Sequence, residues 1–201
     1  MRRSRFAPLL LALMLAQSAC SPQILIKRRP EAQERIRVAI LPFKDHAQAP
    51  GSGELAREAF TTQMIAVKNY DIIERGALDT VLQEQKLGLT GVIDQDTATQ
   101  IGKLLGANAV VIGSVTQFHQ RKALIFPPAR VSLSARLIDI KTGQIEWSAE
   151  QKVGGSKRLF WWLFWPAGIV ATVISPTAED QVLNASKDIC RSLARQMNVQ
   201  E

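Results

Sequence analysis

Cysteine and histidine are scarce in this sequence. Only two cysteines, Cys20 and Cys190, and two histidines, His46 and His119, occur among its 201 residues. Two cysteines exclude a framework of several disulfides, and neither an HExxH motif nor a Cys/His spacing suited to a metal is present. The GxSxG motif of many serine hydrolases is absent as well. We therefore expect no metal, no other cofactor and no enzymatic activity.

Strong charge of one sign is also lacking. The formal net charge is +7, from 25 basic and 18 acidic side chains, but three of the arginines lie within the first five residues. Without residues 1–19 the chain keeps 22 basic against 18 acidic side chains. This excess is too small to indicate nucleic-acid binding and fits a weak attraction to an anionic membrane surface.

The first twenty residues have the order of a signal sequence. "MRRSR" is a positive segment, "FAPLLLALMLA" is an apolar segment too short to span a bilayer, and "QSAC" ends in Cys20. The segment resembles a bacterial lipoprotein signal peptide. The resemblance implies that residues 1–19 are removed and that Cys20 carries diacylglycerol and a fatty acyl chain such as palmitate. In proteobacteria, an Asp directly after the lipidated cysteine would resemble the signal for retention in the inner membrane. Ser21 stands at this position instead, which favours the periplasmic face of the outer membrane. The alternative is an ordinary secretory signal with a chance cysteine.

Hydrophobic periodicity predicts one compact domain over residues 36–201, after a polar tether over residues 20–35. In the tether, two prolines and a cluster of charges argue against compact structure. The domain's predicted order is β-α-β-α-α-β-β-β-α, an α/β fold with a mixed sheet flanked by helices. Its predicted elements are strands over 36–43, 70–74, 108–118, 130–140 and 144–151, and helices over 52–68, 77–85, 94–106 and from Thr177 onward.

One glycine-containing loop could cradle an anion. "GSGELA" over residues 51–56 lies between a predicted strand and a predicted helix, where backbone N–H groups can bind phosphate. The loop lacks the lysine of a GxxxxGK[ST] motif and the third glycine of GxGxxG. We therefore expect a plain loop that leads into a helix.

The apolar stretch over residues 158–175 requires a separate explanation. Residues 159–178 carry no charge, yet Pro166 and Gly168 break any continuous helix. Tryptophans crowd its first half, as at membrane interfaces, and Lys152, Lys157 and Arg158 precede it. We predict an apolar insertion that contacts the membrane, and the alternative is a subunit interface or a hydrophobic plug within an oligomer. The predicted contact residues are Trp161, Trp162, Phe164, Trp165, Ile169 and Val170.

Four sequence blocks carry a family resemblance. "VAILPF", "DIIERGALDTVLQEQKLGLTGVID", "IGKLLGANAVVIGSVTQF" and "VSLSARLIDIKTGQIEWS" resemble the curli production assembly/transport (CsgG/HfaB) family of bacterial lipoproteins over residues 36–150. The resemblance implies a lipidated N-terminus, a periplasmic α/β domain like an anticodon-binding fold, and self-assembly into rings. Its pore-forming members add two membrane-spanning hairpins per subunit. Residues 117–131 are too short for such a hairpin, and "LFWWLFW" does not alternate as a spanning strand does.

Two functions follow from these observations. The first is an outer-membrane-anchored, oligomeric and non-enzymatic lipoprotein that takes part in secretion or in assembly of a cell-surface structure. The second is a small periplasmic lipoprotein that binds and regulates a cell-wall synthase or another envelope partner. The partners expected are outer-membrane lipid, further copies of the chain and a secreted or envelope protein, but no nucleic acid. An enzyme that uses a nucleotide through "GSG" is the least supported reading.

Overall fold

A computed structural model describes residues 22–31, 33–85, 93–119, 130–154 and 177–197. These residues form an α/β domain with one open mixed sheet of six strands, flanked by four helices. The strands are β1 (Gln23–Ile26), β2 (Ile36–Ile40), β3 (Tyr70–Ile72), β4 (Ala109–His119), β5 (Arg130–Asp139) and β6 (Ile145–Val153). The helices are α1 (Ser52–Met64), α2 (Arg75–Glu84), α3 (Gln95–Leu104) and α4 (Ala178–Met197).

The strand order β1-β6-β5-β4-β2-β3 explains why helices lie on both faces. Strand β2 is parallel to both of its neighbours, β3 and β4, whereas β4, β5, β6 and β1 pair antiparallel in turn. The chain leaves β2 toward β3 through α1 and then crosses back past β2 to β4 through α2 and α3. Because crossovers between parallel strands are right-handed, these two opposite moves place α1 on one face and the α2–α3 pair on the other.

The face under α1 and α4 holds the larger core. It takes the inward side chains of all six strands, including the fully buried Trp147. The indole Nε1 of Trp147 donates to the hydroxyl of Tyr70 at 3.1 Å, so the polar end of each buried ring has a partner. Phe43 lies against Gly113, where an added Cβ would come within 2.6 Å of the phenyl ring. This core therefore extends across the sheet from one edge strand, β1, to the other, β3.

The opposite face is only partly covered. Helices α2 and α3 bury a smaller core against β2, β4 and the ends of β5, through side chains such as Leu82, Ile101 and Val110. Beyond them the same face of β5 and β6 carries polar and charged side chains, among them Ser134, Arg136 and Ser148. No helix among the described residues packs on that part of the sheet.

The predicted fold class is confirmed, with one correction at the N-terminus. The prediction that residues 20–35 lack compact structure is wrong for Gln23–Ile26, which form β1 and pair antiparallel with Trp147–Glu150 of β6. The physical reason is alternation. Ile24 and Ile26 turn toward the larger core, whereas Leu25 between them is 77% exposed. A strand of four residues, with only two side chains that face the core, has too short an alternation of hydrophobicity to be recognised within a polar sequence.

A cluster of ionic contacts holds the chain after β1. Arg28 Nη1 donates to Glu146 Oε1 at 2.5 Å, and Arg28 Nη2 donates to Glu34 Oε1 at 2.7 Å. The backbone N–H groups of Lys27 and Arg28 both donate to the carbonyl oxygen of Glu146. Glu146 is 5% exposed, so its carboxylate depends on Arg28 for a charge partner. The two carboxylates also hold the pKa of Arg28 above its usual value.

Side-chain caps mark the starts of two helices, at the predicted positions. The Asp94 carboxylate accepts from the backbone N–H of Thr97 at the start of α3. Thr177 Oγ1 accepts from the Asp180 N–H while the Asp180 carboxylate accepts from the Thr177 N–H, a reciprocal cap. Helix α1 ends at Met64, four residues before the predicted end, because the chain tightens there into turns with bonds such as Val67 N–H to the Met64 carbonyl.

Replacing Arg28 by Ala is expected to destabilise the domain. The change leaves the buried Glu146 carboxylate without its cation, a loss of about 1–3 kcal/mol in the free energy of unfolding. Denaturant unfolding followed by circular dichroism measures it. The matched control is Arg29→Ala, since Arg29 is exposed and makes no ion pair with any described residue. Equal stability of the two variants would contradict the role given to Arg28.

Candidate functional site

The sequence-predicted site residues lie outside the described part of the chain. Cys20 precedes the first described residue, Pro22, by two positions, and the apolar insertion falls within residues 155–176. The residues concerned are Cys20, Trp161, Trp162, Phe164, Trp165, Ile169 and Val170. The structure therefore tests where the chain enters and leaves these segments, and the lipidation and membrane-contact assignments stay predictions.

Three parts of the chain meet the sheet at the same end: the segment 120–129, the segment 155–176 and the start of β1. His119 at the end of β4 pairs with Arg130 at the start of β5, and Val131 pairs with Val153 at the end of β6. Residues 120–129 and residues 155–176 thus both begin at this end, which we call the upper end of the sheet. Strand β1 runs downward beside β6, so its first residue, Gln23, is the one nearest to the upper end.

The pairing of β1 limits how far Cys20 can lie from the sheet. Gln23 pairs with Glu150, three residues before the end of β6. Since an extended chain advances about 3.3–3.6 Å per residue, Cys20 lies at most roughly 10 Å from Gln23. Three residues of β6 also advance about 10 Å, which separates Glu150 from the upper end. The point of attachment of any group on Cys20 therefore lies at most roughly 20 Å from the upper end.

At the start of α1, the position where an anion could bind is taken by a carboxylate of the protein itself, that of Asp45. The Asp45 carboxylate accepts from the backbone N–H of Gly51 at 2.9 Å and of Gly53 at 2.6 Å. Ser52 Oγ accepts from the backbone N–H of His46 at 3.0 Å. The N–H groups and positive dipole end that would bind a phosphate are thus satisfied by Asp45. This agrees with the expected plain loop.

Glycine is required at the first and third positions of this loop. A Cβ at Gly53 would overlap the backbone carbonyl oxygen of Phe43, and Gly51 has a positive φ of 83° that L side chains rarely adopt. The two glycines therefore serve close packing of the loop against the sheet. No local motif in the sequence indicates this role of Asp45, because its partners lie six and eight residues further along.

The structure brings the two histidines together near the upper end. Their ring centroids lie 6.4 Å apart, with His46 in the loop before α1 and His119 as the last residue of β4. His46 Nδ1 accepts from the backbone N–H of Gln48 at 3.3 Å. Within the described ranges, no group of three His, Cys, Asp or Glu side chains lies close enough to hold a metal ion.

Cys190 has the structural role that its position predicts. It is 3% exposed on the buried side of α4, and burial raises the pKa of its thiol to about 12. A thiol in this state stays protonated at neutral pH and packs as a small apolar side chain. Among the described residues, no helix is both long enough and apolar enough to cross a bilayer.

Comparison with protein families gives one match. The family described as curli production assembly/transport component CsgG matches residues 21–123, slightly more than half of the chain. The matched range starts before β1 and so includes the strand that the sequence analysis assigned to the tether. Among curated protein sequences, none matches this chain.

Comparison with solved structures concerns the fold. Lipoprotein GNA1162 from Neisseria meningitidis has a TM-score of 0.50 and 14% identity, over 69% of this chain and 97% of that chain. A PelC dodecamer from Paraburkholderia phytofirmans has a TM-score of 0.48 and 14% identity, over 83% and 97%. The C-terminal domain of LpoB from Escherichia coli has a TM-score of 0.47 and 14% identity, over 73% and 93%. At such identities the similarity to GNA1162 is one of fold alone.

Replacing Asp45 by Ala is expected to weaken the start of α1. The loss of a carboxylate bonded to two helix-start N–H groups costs about 1–2 kcal/mol of unfolding free energy. Phosphate at millimolar concentration should raise the thermal midpoint of the variant more than that of the wild type, because it can occupy the vacated position.

The control for this test is Asp71→Ala. Asp71 is more than half exposed, and its one ion pair within the described residues is with the exposed Arg35, so its loss should cost no more than about 0.5 kcal/mol. A wild-type protein that phosphate stabilises as strongly as the Asp45→Ala variant would show that the loop is an anion site after all.

Proposed function

This chain belongs to the CsgG family of curli production assembly/transport components, and from that premise we propose that it is a lipid-anchored, non-enzymatic protein of the bacterial envelope. Cys20 carries the diacylglycerol and acyl chains that hold it to the periplasmic face of the outer membrane. The domain works as an oligomer in secretion or in assembly of a cell-surface structure. The observation that carries the proposal is the convergence of the N-terminus and the two segments 120–129 and 155–176 on the upper end of the sheet.

The lipid anchor is supported by two independent features. The first twenty residues have the order of a lipoprotein signal ending in Cys20, and β1 begins three residues later. A chain with several acyl groups binds a bilayer almost permanently, since each buried CH₂ contributes about 0.8 kcal/mol. With only roughly 10 Å between Cys20 and Gln23, the domain would be held against the membrane surface instead of at the end of a long tether.

The apolar insertion strengthens this arrangement. It starts five residues after Val153, which lies at the same end of the sheet as the start of β1. Membrane contact through Trp161, Trp162, Phe164, Trp165, Ile169 and Val170 would require no change in the orientation that the anchor imposes. Tryptophans favour the interface between headgroups and acyl chains, which suits a segment that seats in the membrane without a continuous helix.

Replacing Cys20 by Ala tests the anchor. The wild-type lipoprotein, expressed in a bacterium that acylates lipoproteins, should float with vesicles after extraction and reconstitution. Cys20→Ala should lose most of this flotation, and Trp161→Ser, Trp162→Ser and Trp165→Ser added to it should remove the remainder. Residual binding of the single variant then measures the contribution of the apolar insertion.

Cys190→Ala is the matched control, because it removes the other cysteine from the buried face of α4 without touching the anchor. It should lower stability slightly and leave flotation unchanged. Unchanged flotation of Cys20→Ala together with the three tryptophan substitutions would contradict the proposal. Electron microscopy of the extracted wild-type protein tests the oligomer. Single subunits that instead capture a cell-wall synthase would favour the regulatory alternative.

A further inference from the structure

A groove lies on the sheet face that no described helix covers. It is lined by residues of β4, β5 and β6 and by the loop that starts α3, and its volume is about 470 Å³. The side chains used below are Lys44, Ser134, Arg136 and Ser148. This groove is separate from the upper end of the sheet and from the predicted anchor. We propose that it binds an extended, carboxylate-bearing glycan chain.

Two cations give the groove its charge. Lys44 lies beside β4 in register with Ser114, and Arg136 lies on β5 between Ile112 and Ser148. Both side chains are exposed, and neither makes an ion pair or side-chain hydrogen bond within the described residues. The carboxylate of Asp94 at the rim is engaged by the N–H and hydroxyl of Thr97. Free cations that face an open groove complement an anionic ligand.

Hydroxyl groups lie between and beside these cations. Ser114 Oγ and Ser134 Oγ lie 2.9 Å apart, and Ser148 on the next strand is exposed, with no hydrogen bond from its hydroxyl to another described residue. Each serine hydroxyl can donate one hydrogen bond and accept others. Such groups match the hydroxyls of a sugar, which also donate and accept, while Arg136 can bind a carboxylate through two parallel N–H bonds.

The position of the groove favours a glycan over an acidic peptide. Its floor is the face of the sheet, where the backbone groups of β5 are paired on both sides with β4 and β6. An extended peptide gains most of its affinity from free backbone N–H and C=O groups at a sheet edge, and those are not available here. The ligand must therefore be recognised by side-chain hydroxyls and charge. An open groove across three strands also suits an extended chain better than a compact molecule.

Binding can be measured with the full-length lipoprotein in detergent micelles. The probe is a fluorescent oligogalacturonate, and the neutral comparison is a maltooligosaccharide of the same length. The wild type should bind the acidic probe with an affinity that falls as salt rises, and should not bind the neutral one. Lys44→Gln combined with Arg136→Gln should weaken binding on the order of tenfold or more, since two complementary charges are removed. Ser148→Ala should weaken it less and leave its salt dependence unchanged.

The control carries the same change in charge elsewhere. Lys103→Gln combined with Lys141→Gln removes two exposed lysines from the end of α3 and from the β5–β6 turn. It should leave binding intact, and circular dichroism should show all variants folded. Absence of wild-type binding, or equal losses in the control, would overturn the proposal. Tighter binding of a poly-glutamate peptide that the same groove substitutions abolish would overturn it in favour of an acidic polypeptide.

Discussion

The pairing of β1 with β6 is the contact on which the orientation of this protein depends. Four residues hydrogen-bond to the edge of the sheet, and the Arg28 contacts with Glu146 and Glu34 hold the chain that follows. Without this pairing, residues 20–35 could extend for tens of ångströms, and a lipid on Cys20 would not determine which side of the domain faces the membrane. With it, the distance between Cys20 and the sheet is at most roughly 10 Å. A lipid on Cys20, as proposed, would therefore orient the domain as well as attach it.

The topology divides the remaining surfaces between two tasks. The two crossovers around β2 place α1 on one face, which α4 also covers, and α2 and α3 on part of the other face. The rest of the second face, on β5 and β6, is polar and is covered by no helix of the described ranges, and it carries Lys44 and Arg136 at its border with the covered part. The two proposals assign attachment to the upper end and ligand binding to the second face of β5 and β6. The two surfaces do not compete for the same residues.

Much of the fold could be predicted from the sequence because its longer elements have strong periodicity. The alternation along β5 and β6 predicts their buried side chains, and the helix starts predicted at residues 94 and 177 are the ones that side chains cap in the structure. Strand β1 could not be predicted, because its stability comes from an edge more than 120 residues away and not from its own four residues. Asp45 was missed for a similar reason, since its role depends on how a loop folds back on the start of α1. The open groove is a property of topology alone.

The most direct measurement of the account places one label at each end of β6. Lys152→Cys lies near the upper end, and Lys141→Cys lies in the turn at the opposite end, roughly 30 Å away along the strand. In vesicles that contain brominated lipids, a fluorophore at residue 152 should be strongly quenched and one at residue 141 should not. Equal quenching at both positions, or stronger quenching at residue 141, would contradict an orientation set by β1.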